Sequence, residues 1–527
     1  MSNLNDKFKL KPIANILTMF AIFTGVSAFA AEEADIQKAI DHAKTHEKDG
    51  AVKASGFGLV SADGESSINL TGMVHFDAHV IRSGLPHMTD KDSASVADAF
   101  EFRRVRLGVN GTVYKEVDYE VIVNATGSDT NILDTGYLNF SAVKQAQVRV
   151  GRFRQPYSLE AMTKDNAIDF MERSYGDQLG PNKLLGVGVF GEPRKGFTYG
   201  LALAQAGFNE ITNTDNIGGL GTGRATVNFG ELNNLNGQVI HFGASTNRGK
   251  YESTPATSTD SGNAASGTTR ATLLTYRTED RGLANAYRVQ IGGDSVTAAY
   301  GALANNAAEI EKTLNNLEFA YASGPFKFQA EASNLILNAY ALNCVTSGAT
   351  ICASTKTANL QVTSDTKYAE FVYNLTGERW SDGYKSGAFS FLKPNSNFKL
   401  GQGGTGAWQI GVRVSEYKSS LPGSNTGCKD TTNWQNGTLC IVDGGNGTSR
   451  AENSEAARTV TYGLNWLLNP STAIKFNYAM TKFDRPVSIL SSTSNNTGAP
   501  GSAASTVSSA VTTTTENIFS VRAQINF

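Results

Sequence analysis

The chain has 527 residues, with 46 Lys and Arg against 48 Asp and Glu and a formal net charge of −2. That balance offers no basic field to hold nucleic acid, so no nucleic-acid partner is expected. Glycine is abundant (53), and Tyr (18) and Phe (27) far outnumber Trp (4), which suits an all-β chain rich in turns, while the lack of a long apolar stretch beyond the N-terminus excludes a helical membrane protein.

Lys7, Lys9 and Lys11 precede an apolar run from Ile13 to Phe23 and the triplet Ala28-Phe29-Ala30. Charge, a short apolar run and an A-x-A site, in that order, read as a cleaved secretory leader over residues 1–30. Residues 31–52 place Ile36, Ala39, Ile40 and Ala43 at helical spacing, so a short periplasmic N-terminal helix is expected.

From residue 53 to 527 the period changes to two. Ile68, Leu70, Val74, Phe76, Ala78 and Val80 alternate with Asn69, Thr71, His75, Asp77 and His79. One face suits lipid and the other water. Val117, Tyr119, Val121 and Val123 repeat the pattern against Asp118, Glu120 and Asn124. His75 and His79 lie roughly 13 Å apart along an extended strand, too far to share one metal ion, and read as lumen-lining polar groups.

Between these runs the alternation slips: Phe100 and Phe102 are apolar at even positions, Val105, Leu107 and Val109 at odd ones. A bulge at Arg103 and Arg104 accounts for the shift. An arginine facing lipid at mid-bilayer costs about 2–4 kcal/mol, so Arg104 and Arg106 should point into the lumen. Val148 and Val150 force Arg149 inward by the same reasoning, and Arg152 and Arg154 continue toward the next connection. Guanidinium rows in a confined pore lower the energy of anions. The competing reading pairs these arginines with Glu101, Asp118 and Glu120 on neighbouring strands.

Residues 155–182 combine Pro156, helical-looking apolar positions and the charges Glu160, Lys164, Asp165, Asp169, Glu172, Arg173 and Asp177. This is the candidate for a loop folded into the barrel, and its net negative charge predicts a mixed field across the pore. Lys164 and Arg173 join the arginines as candidate solute-path residues. The glycine cluster at 218–223 reads as a flexible loop, since no helix follows to make it a phosphate cradle.

The tight connections at Glu192-Pro193 and Asn469-Pro470-Ser471 contrast with polar stretches near 207–221, 247–267, 338–364, 418–456 and 484–513. Short periplasmic turns and long extracellular loops are the expected arrangement. Two local loop disulfides, Cys344 with Cys352 and Cys428 with Cys440, suit the oxidising compartment, and no C-x-x-C spacing suggests zinc. Phe519, Val521, Ala523, Ile525 and Phe527 share one face of the last strand, whose final aromatic looks like the recognition signal of outer-membrane barrels. The fold class is thus a transmembrane antiparallel β-barrel of about sixteen strands, with eighteen possible.

FEFRRVRLGVNGTVYKEVDYEV at 100–121, VRVGRFRQPYSLE at 148–160, FMERS at 170–174, LGVGVFGEP at 185–193 and the run YGLNWLLNPSTAIKFNYAMTKFD resemble the phosphate-selective porin O and P family in order and spacing. The resemblance implies a homotrimer of roughly sixteen-stranded outer-membrane barrels, one inward-folded loop, and a cationic pore that passes small anions such as phosphate. No cofactor and no catalysis are implied. A non-selective porin with a mixed-charge constriction remains open beside it. So do a barrel hydrolase, for which His241 offers no evident serine partner, and an adhesin.

Overall fold

The computed structural model describes residues 53–55, 57–83, 98–126, 132–205, 219–253, 256–257, 269–283, 286–292, 308–341, 343–347, 349–353, 359–420, 441–442, 454–488 and 512–527. The leader, the expected helix at 31–52, Cys428 and Cys440 lie outside these residues. The chain divides into two compact units, Met1–Ser67 and Ile68–Phe527. In the first, Lys53–Ser55 pairs antiparallel with Gly58–Val60.

The second unit is a closed barrel of sixteen antiparallel strands: β1 (Ser67–Ser83), β2 (Ala99–Val113), β3 (Val117–Asn124), β4 (Leu133–Phe140), β5 (Gln147–Arg154), β6 (Lys183–Arg194), β7 (Phe197–Gln205), β8 (Gly219–Asn228), β9 (Gln238–Ser253), β10 (Ala308–Ser323), β11 (Phe326–Ala341), β12 (Asn359–Asn374), β13 (Ala407–Ser419), β14 (Ala456–Asn469), β15 (Thr472–Ser488) and β16 (Thr512–Asn526). Each strand pairs with the next, and β16 returns to β1 with Phe519 opposite Val80 and Ile525 opposite Val74. Closure leaves no strand edge unpaired, which a sheet in lipid requires. At the seam Gly72 exchanges backbone hydrogen bonds with Phe527. A Cβ at Gly72 would meet the Phe527 ring at 2.6 Å, so the ring's position requires glycine there.

The period-2 pattern becomes an inside and an outside. Phe76, Leu138, Val150, Leu203, Ile410, Tyr462 and Phe519 are exposed on the outer face, while His75, Asp77 and His79 are buried on the inner one. The connections alternate in length as expected, Lys195-Gly196 and Pro470-Ser471 being tight turns. Three local expectations change. Glu192 and Pro193 lie inside β6, where the ladder shifts register between Gly191 and Arg194. The glycines from Gly219 to Gly223 form the start of β8 instead of a loop, their missing side chains tolerated on a paired strand. Finally, residues 375–406 make a long connection on the short-turn side, joining β12 to β13.

One inward-folded loop was expected, and it is there: residues 155–182 cross the lumen and carry the short helices Leu159–Met162 and Tyr175–Leu179. Two further segments join it. Residues 277–283 of the β9–β10 connection reach Arg413, Asn477 and Glu516 on the wall. From the opposite end, Trp380 to Leu392 of the β12–β13 connection pack inside with Val239, Ala320 and Val372. Between the first two segments, Tyr276 stacks on Tyr417 at 4.2 Å and Tyr175 meets Tyr417 edge-on at 4.9 Å, a dry aromatic core inside the barrel.

Candidate pore constriction

Arg103 and Arg104 are consecutive, yet both reach the lumen, as the slipped alternation predicts. Arg103 binds Glu172 through two hydrogen bonds of 2.7 and 3.0 Å. Arg104 Nε lies 3.2 Å from Asp165 Oδ2. Arg106 joins the same Asp165 and also sits 3.1 Å from Asp134, which Lys183 binds from β6. Arg154 and Arg173 complete the ring around Asp165 at 3.6 and 2.5 Å. The partners are therefore carboxylates of the inward loop together with Asp134 of β4, whereas Glu101, Asp118 and Glu120 were the neighbours expected for a purely structural role.

Burial raises the Asp165 carboxyl, but the guanidinium groups of Arg104, Arg173, Arg106 and Arg154 overcome it and hold the group well below the usual carboxylate range. Glu172 is depressed likewise, burial being outweighed by Arg103, Arg104 and Arg522. Both carboxylates stay ionised, and the loop is pinned to β2 by charge-assisted bonds.

Arg149 faces inward, its Cζ 4.4 Å from the Tyr137 ring and 4.7 Å from that of Phe190, and it donates to Asn139 Oδ1 at 3.3 Å. Arg152 lies opposite Gly136 and Leu185 in the ladder, outside the ring around Asp165. Lys164 is exposed on the inward loop and forms no ion pair among the described residues. In backbone register Cys344 stands directly opposite Cys352 in a small hairpin between β11 and β12.

Sequence reasoning missed three members of this network. Arg522 of β16 is fully buried and grips Asp77 through bonds of 2.7 and 2.6 Å while also reaching Glu172 at 2.8 Å. Its place with Ser520 and Gln524 on the polar face of the last strand was the available signal. Asp134 and Lys183 sit where strands meet connections, and no period marks such positions.

The exposed inner surface is uneven. Arg103 and Arg154 keep 24 and 19 % of their side chains accessible, whereas Arg413 keeps 1 % and Lys327 2 %. The inward loop lies against the far wall: Leu159 N and Glu160 N donate to Glu331, Asn465 donates to Asp169 O, and Lys475 and Arg522 to Ile168 O and Met171 O. The wetted part of the inner wall is thus the part built by β2–β6.

His79 Nδ1 lies 2.8 Å from Ser520 Oγ, and its Nε2 is 3.3 Å from Glu101 and 3.8 Å from Asp77. Serine, histidine and carboxylate suggest a hydrolytic triad, and Asp77, His79 and Glu101 could also hold a metal. Neither arrangement is available as it stands. Ser520 is fully buried, Asp77 is gripped by Arg522, and Glu101 is held by Arg281 through two bonds of 3.0 Å. His241 finds Tyr384 and Glu318 as partners at 2.6 and 3.3 Å.

A closed antiparallel barrel with an apolar outer face, an ionised lumen and its own segments folded inside defines a membrane channel. The profile of the family described as "Phosphate-selective porin O and P" matches residues 68–488, most of the chain, which therefore belongs to that family of outer-membrane porins. Porin O of Pseudomonas aeruginosa is 23 % identical over 444 residues, covering 82 % of this chain and 86 % of the relative. Among solved structures, an anion-selective porin from Comamonas acidovorans aligns at 13 % identity with a TM-score of 0.44, covering 88 % of this chain and 100 % of the other. The channel DcaP of Acinetobacter baumannii aligns at 12 % identity and a TM-score of 0.43, covering 90 and 100 %.

Proposed function

We propose that this porin passes small anions, phosphate foremost, along the β2–β6 side of its lumen, with Arg103, Arg104, Arg106, Arg149, Arg154, Lys164 and Arg173 as the path; Arg152, expected on it, shares the outward row of Val150 and Leu185 instead. The observation that carries this reading is a surplus of cations. Arg103, Arg104, Arg106, Arg154, Arg173, Lys183 and Arg522 share the carboxylates of Asp77, Asp134, Asp165, Asp177 and Glu172. Seven cations meet five anions, and Lys164 adds a third uncompensated charge at the loop surface. Guanidinium forks match phosphate oxygens, and neighbouring carboxylates keep each site weak enough to release the solute.

Transport here is passive and needs no catalytic step; the sealed Ser520 hydroxyl gives a hydrolase nothing to work with. Assembly as a homotrimer belongs to the same reading, supported by the low wall of β3, β4 and β5 at eight residues each, and native mass spectrometry should find three copies. A hairpin disulfide between Cys344 and Cys352 and a second between Cys428 and Cys440 complete the proposal, and non-reducing peptide mapping should recover both.

The test is single-channel recording in a planar bilayer under a potassium chloride gradient, with phosphate titrated in. A reversal potential favouring chloride, phosphate block, and loss of both in Arg106→Ala and Lys164→Gln support the reading. An open channel without ion preference or phosphate block overturns it in favour of a general porin with a mixed-charge constriction, a reading that the carboxylate beside most of these guanidinium groups favours.

A further inference from the structure

The β12–β13 connection divides in two. Its middle part folds into the lumen, but residues 396–406 turn to the other side of the wall. Trp408 and Trp466 stand opposite each other on β13 and β14 and stack at 5.1 Å. Their sequence neighbours Gln409 and Asn465 are buried inside, so both indoles face outward. Phe398 meets the Trp466 ring edge-on at 4.8 Å, and Trp466 Nε1 donates to Thr405 O at 2.9 Å. A segment that touches an outward ring and satisfies its N–H stands on the outer face.

The segment is a small closed hairpin. Phe398 N donates to Leu468 O at 2.7 Å, where β14 runs on past the start of β13. Gly406 N donates to Ser396 O at 2.9 Å, Lys399 N to Gly403 O at 3.0 Å and Gln402 N to Lys399 O at 3.1 Å. Gly404 has a φ of 90°, and a Cβ there would fall 2.1 Å from Asn397 O, so the turn requires glycine. At its tip is Leu400, 90 % exposed, the most exposed large apolar side chain among the described residues. Ordering a glycine-rich turn costs backbone entropy, and a leucine held clear of the protein in water contributes nothing against that cost.

We infer that residues 398–404 are an interfacial anchor that sets Leu400 into the phospholipid leaflet on the short-turn side. The occupant follows from level and lining. Tryptophans on the outer face at a barrel end mark the height of the headgroups, and Phe398 joins that girdle directly. Leu375, 53 % exposed, continues it past the end of β12, its N–H donating to Trp408 O at 2.7 Å. Lys393 and Lys399 are the only charged residues from 393 to 406, and both are exposed. A lysine beside an inserted leucine can lay its stem along the acyl boundary and keep its ammonium among the phosphates. The anchor lies outside the lumen, so this inference does not depend on the anion path.

The experiment labels Leu400→Cys with bimane in the full chain, reconstituted into phosphatidylcholine vesicles. The parent serves as the labelling blank, and Lys195→Cys, on the exposed turn between β6 and β7, as the reference site. An interfacial apolar group sits about 5–10 Å deep. A nitroxide carried high on the lipid acyl chain should therefore quench the label at position 400 strongly, and one near the chain end weakly. Aqueous iodide should quench it several-fold less than the label at position 195, and its emission should lie to the blue of that reference. Equal iodide quenching at the two positions, with none from the lipid-borne nitroxide, overturns the inference and leaves the hairpin in water. Protection from both quenchers overturns it as well, since a protein surface then covers Leu400. Retained heat-resistant mobility and unchanged single-channel conductance of the labelled variant exclude misfolding as the cause of either result.

Discussion

Along β2–β6 the inward charges Arg103, Arg106 and Arg154 keep contact with water while Arg104 is buried among them, whereas along β9–β15 charges of the same kind are sealed beneath the inward segments. Arg103 and Arg413 illustrate the contrast. Both are arginines on inward rows, and both bind loop carboxylates, Arg103 to Glu172 and Arg413 to Glu160 and Glu279. Arg103 remains a quarter exposed, while Arg413 is enclosed with Phe170 packed 4.7 Å from its Cζ. In water a guanidinium can exchange a carboxylate for a passing anion at little cost. Sealed from water it cannot, because the carboxylate left behind would be a buried charge. One residue type thus serves conduction on one side and construction on the other, and burial decides which.

That contrast can be broken most sharply at Arg413. Arg413→Ala leaves Glu160 and Glu279 enclosed without their cation, and breaking a buried pair from one side costs about 3–5 kcal/mol. Heat-modifiability on electrophoresis should show a large drop in barrel stability, with a fall in folded yield. The exposed Lys164→Gln should leave stability unchanged and alter only ion preference. If the two variants lose stability equally, the division into a wetted and a sealed wall fails.

A smaller effect is expected at Glu331. Its carboxylate accepts from Leu159 N at 3.0 Å, Glu160 N at 2.7 Å, Asn316 Nδ2 at 2.9 Å and the Tyr368 hydroxyl at 2.7 Å. Two of those donors are the first amides of the loop's helix, so one wall carboxylate anchors the inward loop. Glu331→Gln retains one acceptor oxygen for four donors, and each buried donor left unmet costs about 1–3 kcal/mol. Single-channel conductance should rise and become noisier as the loop loosens. Unchanged conductance with unchanged protease resistance of residues 155–182 would show that other contacts hold the loop.

How much of this was legible beforehand follows from the range of the interactions. The alternation of β1 placed His75, Asp77 and His79 inside, and the slip at Arg103 and Arg104 marked a stretch where two neighbouring arginines both reach the lumen. Both are local signals carried by a period. The second and third inward segments have none: Trp380, Tyr384 and Phe389 follow no period, and their burial comes with partners on distant strands, His241 against Tyr384 and Lys327 over Trp380 and Phe389. The Ser520–His79 contact joins residues 441 positions apart, and barrel closure alone brings them together.

The smallest predicted effect concerns acidity on the sealed side. Glu160 accepts from the Ser174 amide at 2.8 Å and its hydroxyl at 2.6 Å, with Arg413 at 3.4 Å. Burial pushes its carboxyl up to about 7, the Arg413 charge only partly opposing that shift. A folded value above the ordinary 4.5 means that the folded protein binds this proton more tightly than the unfolded chain does. Its contribution to stability is therefore fully present below the ordinary carboxylate range and is lost as pH rises through neutrality. Asp165 and Glu172, held low, contribute the opposite way: their stabilisation persists above the ordinary range and is lost only in stronger acid. Acidification from pH 8 to 6 should thus tighten the barrel slightly, and by removing one negative charge near the lumen it should shift the reversal potential a little further toward anions. Glu160→Gln should flatten both responses across that interval while leaving the loss below pH 4 in place. A variant that keeps the parent's full response between pH 6 and 8 would assign the titration to another group and leave Glu160 a permanently charged partner of Arg413.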